Sequence, residues 1–336
     1  MKPITIIGGG LAGLTLGILL RRENVPAAVI EAGKYPRHRV CGEFISGRGR
    51  GIFHRLGLEE KISEKVEAST VSFHLKDRKP VRLRLQEPGL CVSRFVLDAL
   101  LAEEFERAGG ILKTGERANL DSNREGVVRA TGRRRSENQT GHLFGLKAHA
   151  LRASLSADLE LHFGASDYVG LCGVGGDRVN VCGLFYSREP VRTLHERWKE
   201  TLTSCVWSEA LADATWDEES FSSVAGLMLN RQSSESQFAI GDAAAMIPPL
   251  TGNGMSMAFE SAEVAFEPLL RFSRRQVSWE ECLRIQATAW DLHFSARLRW
   301  AAFVQSLLFN TAGQQFLLIC TRLFPRLPVF FFSRTR

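Results

Sequence analysis

The sequence predicts an α/β fold in which a parallel-sheet unit carries an inserted antiparallel sheet and ends in C-terminal helices. Three observations predict it. Residues 4–31 read strand, glycine turn, helix, strand, acid. The middle of the chain switches to alternating apolar and polar positions, the period of half-buried strands. The C-terminal part returns to helical spacing, with apolar residues at 283, 287, 290, 294, 298, 301 and 304. βα units interleaved with hairpins in this order indicate one composite unit with an insertion, not two consecutive domains.

The N-terminal stretch is the most specific. Ile4-Thr5-Ile6-Ile7 has strand character, and Gly8, Gly10 and Gly13 fit G-x-G-x-x-G before an apolar helix that runs through Leu11 and Ala12 to Arg22. Gly8 permits the tight turn, Gly10 lets backbone approach a pyrophosphate, and Gly13 lets helix and strand pack closely. The helix N-terminus offers free N–H groups to phosphates. A second strand, Ala27–Ile30, ends on Glu31, 18 residues after Gly13, where an acid would hold a ribose hydroxyl. The alternative is a glycine-rich structural turn. The strand before, the helix after and the acid favour dinucleotide binding.

Tyr35–Ser46 is rich in turn formers and reads as an ordered loop, followed by a helix over Gly47–Leu58. Residues 69–86 alternate and read as a hairpin around Asp77–Pro80. A helix is expected from Val96 to Ala108, closed by Gly109-Gly110, then strands at Ile111-Leu112 and Val127–Ala130. Leu159–Phe163, Tyr168–Val174 and Val179–Phe185 read as antiparallel strands, the last two joined at Gly175-Gly176-Asp177. Leu194–Ala212 reads as helix and Ser222–Leu229 as strand. Helices follow at Met255–Arg271 and Ser278–Phe309, with a further piece from Thr311 to about Phe324.

Composition sets the class. With 44% hydrophobic and 24% charged residues the chain is of soluble globular type. The first strand begins by Pro3, so no leader segment is expected. Seven scattered cysteines without a C-x-x-C pair predict reduced thiols in the cytoplasm. The histidines show no metal-ligand spacing; His142 and His149 are seven apart and lack cysteine partners, so no metal is expected. A net charge of +6 reads as a mildly basic surface, or as attraction to anionic partners. The basic residues are not interleaved with aromatics, and no nucleic-acid module is visible.

A second stretch supports the first. An apolar strand ends in Gly241-Asp242, placing a carboxylate at its carboxyl end, where ligands sit in open α/β sheets. Pro248-Pro249 stiffens the approach, and Gly252 and Gly254 leave the next helix N-terminus unobstructed. Such a terminus stabilises negative charge, which suits the pyrimidine end of a reduced flavin.

Here the chain resembles the FAD-dependent superfamily of para-hydroxybenzoate hydroxylase, which includes geranylgeranyl reductases and flavin-dependent halogenases. The resemblance rests on the glycine fingerprint, Arg94-Phe-Val-Leu-Asp98, Ala130-Thr131-Gly132, Gly241-Asp242-Ala-Ala and Pro248-Pro-Leu-Thr-Gly-Asn-Gly-Met255. The Val40-Cys-Gly-Glu-Phe-Ile-Ser46 loop is most similar to the geranylgeranyl reductase branch. It implies a Rossmann-like FAD-binding domain of glutathione-reductase type over residues 1–68, 89–140 and 220–272. An antiparallel substrate domain would take 69–88 and 141–219, with a C-terminal helical region at 273–336.

The resemblance implies that Gly8, Gly10, Leu11, Ala12, Gly13, Glu31, Arg39 and Asp242 hold the adenosine and pyrophosphate end of FAD. Arg94 would reach the phosphate or ribityl region. Cys41, Gly42 and Glu43 would lie beside the flavin, with Cys41 and Glu43 the side chains nearest the chemistry. Pro249, Gly252, Asn253, Gly254 and Met255 would present the helix start to the ring. Plainer readings stand beside these. Cys41 is also a small buried residue, Glu43 a cap for the following turn, Arg94 a salt-bridge partner, Asp242 a helix cap. Arg133–Arg135 reads as a solvated turn, and Tyr168 and His162 as pocket or alternating burial. Three departures stand out. Gly115–Val127 is shorter than the family's β-meander. The Trp-x-Trp-x-Ile-Pro motif of tryptophan-type halogenases is absent. So is the Tyr-x-Trp-x-Phe-Pro of archaeal geranylgeranyl reductases.

The expected activity is an FAD-dependent monooxygenase using NAD(P)H and acting on an aromatic or lipid-like, hydrophobic or carrier-bound small molecule. The alternatives are reduction of a prenyl or other carbon–carbon double bond, and a flavin-binding partner protein without turnover. The apolar segment 316–332 is interrupted by Arg322, Pro325, Arg326 and Pro328 and is too short to span a bilayer. It packs on the body or makes weak membrane-surface contact.

Overall fold

In the computed structural model, which describes residues 1–118, 124–133, 142–187, 195–227, 237–310 and 312–316, the two N-terminal apolar runs pair as parallel strands. Strands β1 (Ile4–Ile7) and β2 (Ala27–Glu31) meet in the register Ile4↔Ala27, and helix α1 (Leu11–Arg22) connects them. Strands β6 (Ile111–Thr114) and β7 (Val127–Arg129) complete the parallel order β6-β2-β1-β7. Beyond β7, Arg129 N–H donates to Phe238 O at 2.8 Å and Ile240 N–H to Arg129 O at 3.0 Å. The chain before Gly241-Asp242 thus extends the same sheet, as an apolar strand ending in an acid predicts.

Helices α2 (Gly47–Arg55), α3 (Arg94–Arg107) and α5 (Gly254–Ser273) pack with α1 over this sheet. Leu14, Leu16, Phe53, Leu97, Leu101, Phe105 and Phe259 form its core with no or almost no exposure. Helix α6 (Trp279–Leu308) is capped by Ser278, whose hydroxyl accepts from Glu281 N–H at 3.1 Å, a Ser-x-x-Glu start. Arg297 of α6 binds Glu260 of α5 bidentately at 2.8 and 2.9 Å, a buried pair that fixes how the long helix lies.

The second sheet has eight strands in the order β12-β8-β11-β10-β9-β4-β5-β3. These are β3 (Phe44–Ile45), β4 (Val66–Leu75), β5 (Val81–Cys91), β8 (His142–Leu151), β9 (Leu159–Phe163), β10 (Tyr168–Gly175), β11 (Arg178–Ser187) and β12 (Thr215–Ala225). All neighbours are antiparallel except β4 and β9. One face, with Phe144, Leu146, Ala148, Val169 and Val181, is covered by the short α4 (Trp198–Thr203) and the segment after it, through Leu202, Cys205 and Ala210. The opposite face carries Phe163, Tyr168 and Leu184, packed against Met246, Leu250, Leu308 and Phe309.

Several elements differ from the sequence reading. The expected loop 35–46 contains β3, which pairs with the end of β5. Within the helix expected over Leu194–Ala212, the described residues are helical at 195–196, in α4 and in a 3-10 turn at Glu209–Leu211, with a break at 197 and a new turn started by Ser208, which accepts from Ala210 N–H. The strand expected at Ser222–Leu229 runs from Thr215 to Ala225; its polar first half sits at a sheet edge, where alternation is weak. Strand β8 was not foreseen, since Gly145, Lys147 and His149 occupy positions where a half-buried strand places polar side chains outward. Strands β4, β5 and β12 also run past the segments 69–88 and 141–219 assigned to the inserted sheet. Of residues 316–332 only Phe316, 55% exposed, lies within the described residues. Among the described residues no helix is long and apolar enough to cross a membrane.

Phe259 lies at the contact of α5 with Phe53 of α2 and is fully buried. Phe259→Ala should lower unfolding free energy by about 3–5 kcal/mol, read as an earlier urea midpoint.

Candidate functional site

The three fingerprint glycines have different surroundings. Gly8 has φ +110°, and a Cβ there would stand 2.2 Å from Ala130 O. A Cβ on Gly13 would stand 2.0 Å from Gly8 O. A Cβ on Gly10 would meet nothing within 4 Å. Gly8 and Gly13 are therefore needed for packing, whereas Gly10 faces open space. Gly10 is also the N-cap of α1, which no side chain caps, so the first-turn N–H groups at Leu11, Ala12 and Gly13 face the same opening. This is the cradle a pyrophosphate requires.

Glu31, 7% exposed, closes one side. It accepts from Gly9 N–H at 2.7 Å and Gly33 N–H at 2.8 Å and pairs with Arg37 at 2.7 Å. Burial raises its pKa, but Arg37 and the two N–H groups outweigh burial and hold it below the ordinary value. A carboxylate has about four acceptor positions, so Glu31 can still receive a hydroxyl. Arg39 bridges from Glu31, at 3.7 Å, to Asp98, at 3.0 Å. Asp98 is held bidentately by Arg94 at 2.6 and 2.9 Å, one helical turn away. The guanidinium of Arg94 is thus committed to an ion pair, and the plainer reading of this residue describes its visible contacts.

The second half of the opening comes from residues 241–256. Gly241 N–H donates to Ser261 Oγ at 2.9 Å, and Asp242 is half-buried. Burial raises the Asp242 pKa, while the charges of Arg133 and Arg94 oppose the rise. Arg133 is half-buried and its charge is felt at Asp242, which corrects the reading of this position as solvated turn; burial lowers its own pKa. Residues 134–135 lie outside the described residues. Pro249 opens a short 3-10 turn, and Gly252, φ +65°, reverses the chain into α5. No side chain caps α5, and a Cβ on Gly254 would meet only Ile247 at 4.0 Å. The side chain of Met255 is in the core, so only its backbone is available.

The Cys41 loop is fastened on both sides. Ser46 Oγ donates to Asn253 Oδ1 at 2.9 Å, and Ser46 N–H to Ser256 Oγ at 3.0 Å. On the side of the second sheet, Cys41 O accepts from Asn180 Nδ2 at 3.0 Å and Gly42 O from Cys172 Sγ at 3.3 Å. A Cβ on Gly42 would meet nothing within 4 Å. Burial pushes the Cys41 thiol up, so it stays protonated near neutral pH and is a poor nucleophile.

Glu43 is fully buried, with φ +53°. Its Oε1 accepts from Arg94 N–H at 2.8 Å and lies 3.5 Å from Lys147 Nζ; its Oε2 lies 2.8 Å from His149 Nε2. The capping expected of Glu43 is real, but it acts on the first turn of α3, not on the turn that follows Glu43. Lys147 and His149 were missed. Their i, i+2 spacing on β8 puts both on one face, a signal available only once that strand is recognised.

A further group, His74, Glu160 and His162, comes from the adjacent strands β4 and β9 and has the atom types of a metal site. Sequence spacing could not reveal it. Trp207 N–H donates to His162 Nδ1 at 3.1 Å, so His162 carries its proton on Nε2, 3.0 Å from Glu160 Oε2. A ligating Nε2 needs the opposite tautomer. Ser156 N–H and Ser208 Oγ complete the shell of Glu160, and the cluster is satisfied by hydrogen bonds. His162 thus faces away from Tyr168, on the covered side of the sheet.

Burial raises the Glu43 pKa, but His149, Lys147 and Arg94 N–H outweigh it and hold it below the ordinary 4.5. A carboxyl with a lower pKa in the folded than in the unfolded chain stabilises fully above the unfolded value and loses that contribution as pH falls through the folded one. Glu43→Gln should therefore cost about 3–5 kcal/mol at neutral pH, leaving Lys147 unneutralised, and should flatten the loss of stability below about pH 4. Urea midpoints across the acid range check both.

Residues 1–143 match the family described as "FAD binding domain". Among curated proteins, Conditioned medium factor receptor 1 of Dictyostelium discoideum is 27% identical over 135 residues, 35% of this chain. Tetracenomycin B2 monooxygenase-dioxygenase of Streptomyces olivaceus is 28% identical over 106 residues, 32% of this chain. These matches cover 26% and 18% of the two relatives, well under two thirds of their length. Among solved structures, the flavin-dependent brominase Bmp2 superposes with a TM-score of 0.77 at 15% identity, over 99% of this chain and 92% of that one. A geranylgeranyl bacteriochlorophyll reductase-like protein of Thermoplasma acidophilum gives 0.75 at 16% identity, over 93% and 89%. The N-terminal part is thus similar in sequence to an FAD binding domain, and the chain shares its fold with the brominase and the reductase-like protein.

Proposed function

We propose that this chain is an FAD-dependent oxidoreductase of monooxygenase type, acting on an aromatic or lipid-like small molecule with NAD(P)H as reductant. The observation that carries the cofactor is the open space at Gly10, Gly42 and Gly254 beside two helix N-termini that no side chain caps. Gly8, Gly10, Leu11, Ala12 and Gly13 would hold the pyrophosphate, Glu31 and Arg39 the adenosine ribose, and Asp242 the ribityl chain. Cys41, Gly42 and the turn Pro249–Met255 would border the ring. Arg94 would act through Asp98 and Arg39. When bound, FAD accepts hydride from NAD(P)H and activates O₂ or passes hydride on.

The chain's own residues bind, orient and keep water out. The residues Phe163, Tyr168, Leu184, Met246, Leu250 and Phe309 pack into an apolar cluster on the second sheet, and a substrate bordering it would be aromatic or lipid-like sooner than charged. The partial relative from Streptomyces olivaceus is named as a monooxygenase-dioxygenase, which favours oxygen insertion. Double-bond reduction is favoured by one feature, the Val40–Ser46 loop resembling the geranylgeranyl reductase branch. Incubation with NAD(P)H, candidate aromatic substrates and labelled O₂ separates the two. Label in the product supports oxygen insertion; undiminished turnover without O₂ overturns it.

Gly10→Val should abolish FAD binding while the apoprotein keeps its thermal midpoint, because the added side chain enters open space. Gly13→Val should instead lower the midpoint sharply, since its Cβ would clash with Gly8 O. Flavin absorbance of the purified proteins with thermal melts reads both; normal flavin content in Gly10→Val would count against the cofactor site.

A further inference from the structure

Behind the Cys41 loop four ionisable side chains touch in sequence. His38 is half-buried at the rim, its ring stacked on Phe95, itself 37% exposed, at 4.6 Å. His38 Nδ1 lies 3.1 Å from Lys147 Nζ, and Lys147 is fully buried. Lys147 Nζ lies 3.5 Å from Glu43 Oε1, and Glu43 Oε2 lies 2.8 Å from His149 Nε2. An ammonium only donates, so His38 Nδ1 accepts and the ring proton of His38 is on Nε2. Glu43 is ionised, so the proton it shares with His149 is on His149 Nε2.

That leaves His149 Nδ1 as an acceptor, and it has no partner among the described residues although His149 is only 1% exposed. Asn180 lies opposite His149 in the β8–β11 register, and its Oδ1 is also buried without a partner. Its amide nitrogen is bonded to Cys41 O. Two buried polar atoms without a partner among the described residues thus lie on residues paired in register, one of which is tied to the Cys41 loop. Each is costly unless something polar meets it. A packing role alone would be served as well by apolar residues, since exchanging a buried ion pair for them is often neutral or stabilising. Here the pair is kept on a non-glycine residue at positive φ, a strained backbone of the kind found at functional sites.

We infer that His149, Glu43, Lys147 and His38 form a proton relay that carries a proton from the cleft beside Cys41 to solvent at the rim. It rests on the reading of the cleft as the FAD and substrate site, and it implies a substrate with an ionisable O–H or N–H group. The acid's O–H or N–H bond breaks and an N–H bond forms at His149 Nδ1, directly or through a water held by Asn180 Oδ1. The Nε2–H of His149 breaks and its proton goes to Glu43 Oε2. Lys147 gives a proton to His38 Nδ1, and His38 releases its Nε2 proton to water. Glu43 then returns its proton to Lys147, so Glu43 and Lys147 regain their starting forms, whereas His149 and His38 each end with the proton on Nδ1 in place of Nε2; a flip of each ring resets the path.

The charges around the path suit this direction. Burial, Lys147 and His149 push the His38 pKa down to about 4, against the opposing Glu43 and Asp217, so a proton arriving there leaves readily. Burial lowers the pKa of Lys147 too, while the Glu43 carboxylate opposes the shift. The lowered Lys147 pKa makes Lys147 the readier donor, and the lowered His38 pKa speeds the last step, release to water, while keeping protonated His38 scarce.

The test is the exchange of the buried His149 Nε2 proton with solvent, followed by NMR in ¹⁵N-histidine-labelled, FAD-loaded protein. His38→Ala should slow this exchange about tenfold or more, and added imidazole should restore it. Lys147→Met should slow it without rescue by imidazole. Exchange in His38→Ala as fast as, or faster than, in the parent chain overturns the relay; so does a slowed exchange that imidazole fails to restore. His38 is at the rim, so its variant keeps the test available if Lys147→Met does not fold. Flavin absorbance of the same samples is a separate result. A chain that takes up no FAD overturns the proposed function and with it the relay's task, whereas normal FAD content with unchanged exchange overturns the relay alone.

Discussion

A carboxylate with no access to water must be neutralised where it lies, and Glu43 is such a carboxylate. Its partners come from both halves of the molecule. Arg94 N–H belongs to the first turn of α3, against the parallel sheet; Lys147 and His149 belong to β8 of the second sheet. Neither half can move away without leaving charge buried and unpaired. The loop carrying Glu43 is consequently a fixed wall, and the bonds of Ser46 to Asn253 and Ser256 extend the wall to the start of α5. The relative position of the two helix N-termini and the second sheet follows from that one group.

The glycines complete the same surface by a different means. Gly8 and Gly13 bring backbone against backbone, so that α1 starts close to β1 and the tip of β7. Gly10, Gly42 and Gly254 do the reverse, leaving space where a side chain would stand. A single residue type thus serves close contact in some places and vacancy in others. Only the surroundings distinguish the two, which is why Gly10 and Gly13, three residues apart, call for opposite outcomes on substitution.

Much of this was legible in the sequence, for reasons that are local. The β1–α1–β2 unit, the acid at Glu31 and the strand before Asp242 each declare themselves within about a dozen residues, through turn chemistry and a clean hydrophobic period. What stayed hidden depends on contacts across the fold. Strand β8 carries a glycine, a lysine and a histidine on the face turned toward Glu43, so its pattern looks like that of a strand facing water. Its true partner is 106 residues away in sequence. Arg133 looked like solvated turn because Asp242 is likewise remote. His74, Glu160 and His162 meet through the parallel register of β4 and β9, which no spacing rule encodes.

The two polar clusters on the second sheet show how burial alone fails to mark a site. Glu160 and His162 are as deeply buried as Glu43 and His149. Yet Trp207 N–H, Ser156 N–H and Ser208 Oγ close their shell, and nothing in it asks for a further partner. Around Glu43 the shell, among the described residues, is left open at His149 Nδ1 and at Asn180 Oδ1, whose amide nitrogen holds the Cys41 loop. A satisfied cluster fastens the segment that covers it. An unsatisfied one, tied to the loop beside open glycines and uncapped helix ends, leaves two polar atoms that a water or a polar group of an occupant can meet, and that is the opening the proposed relay uses.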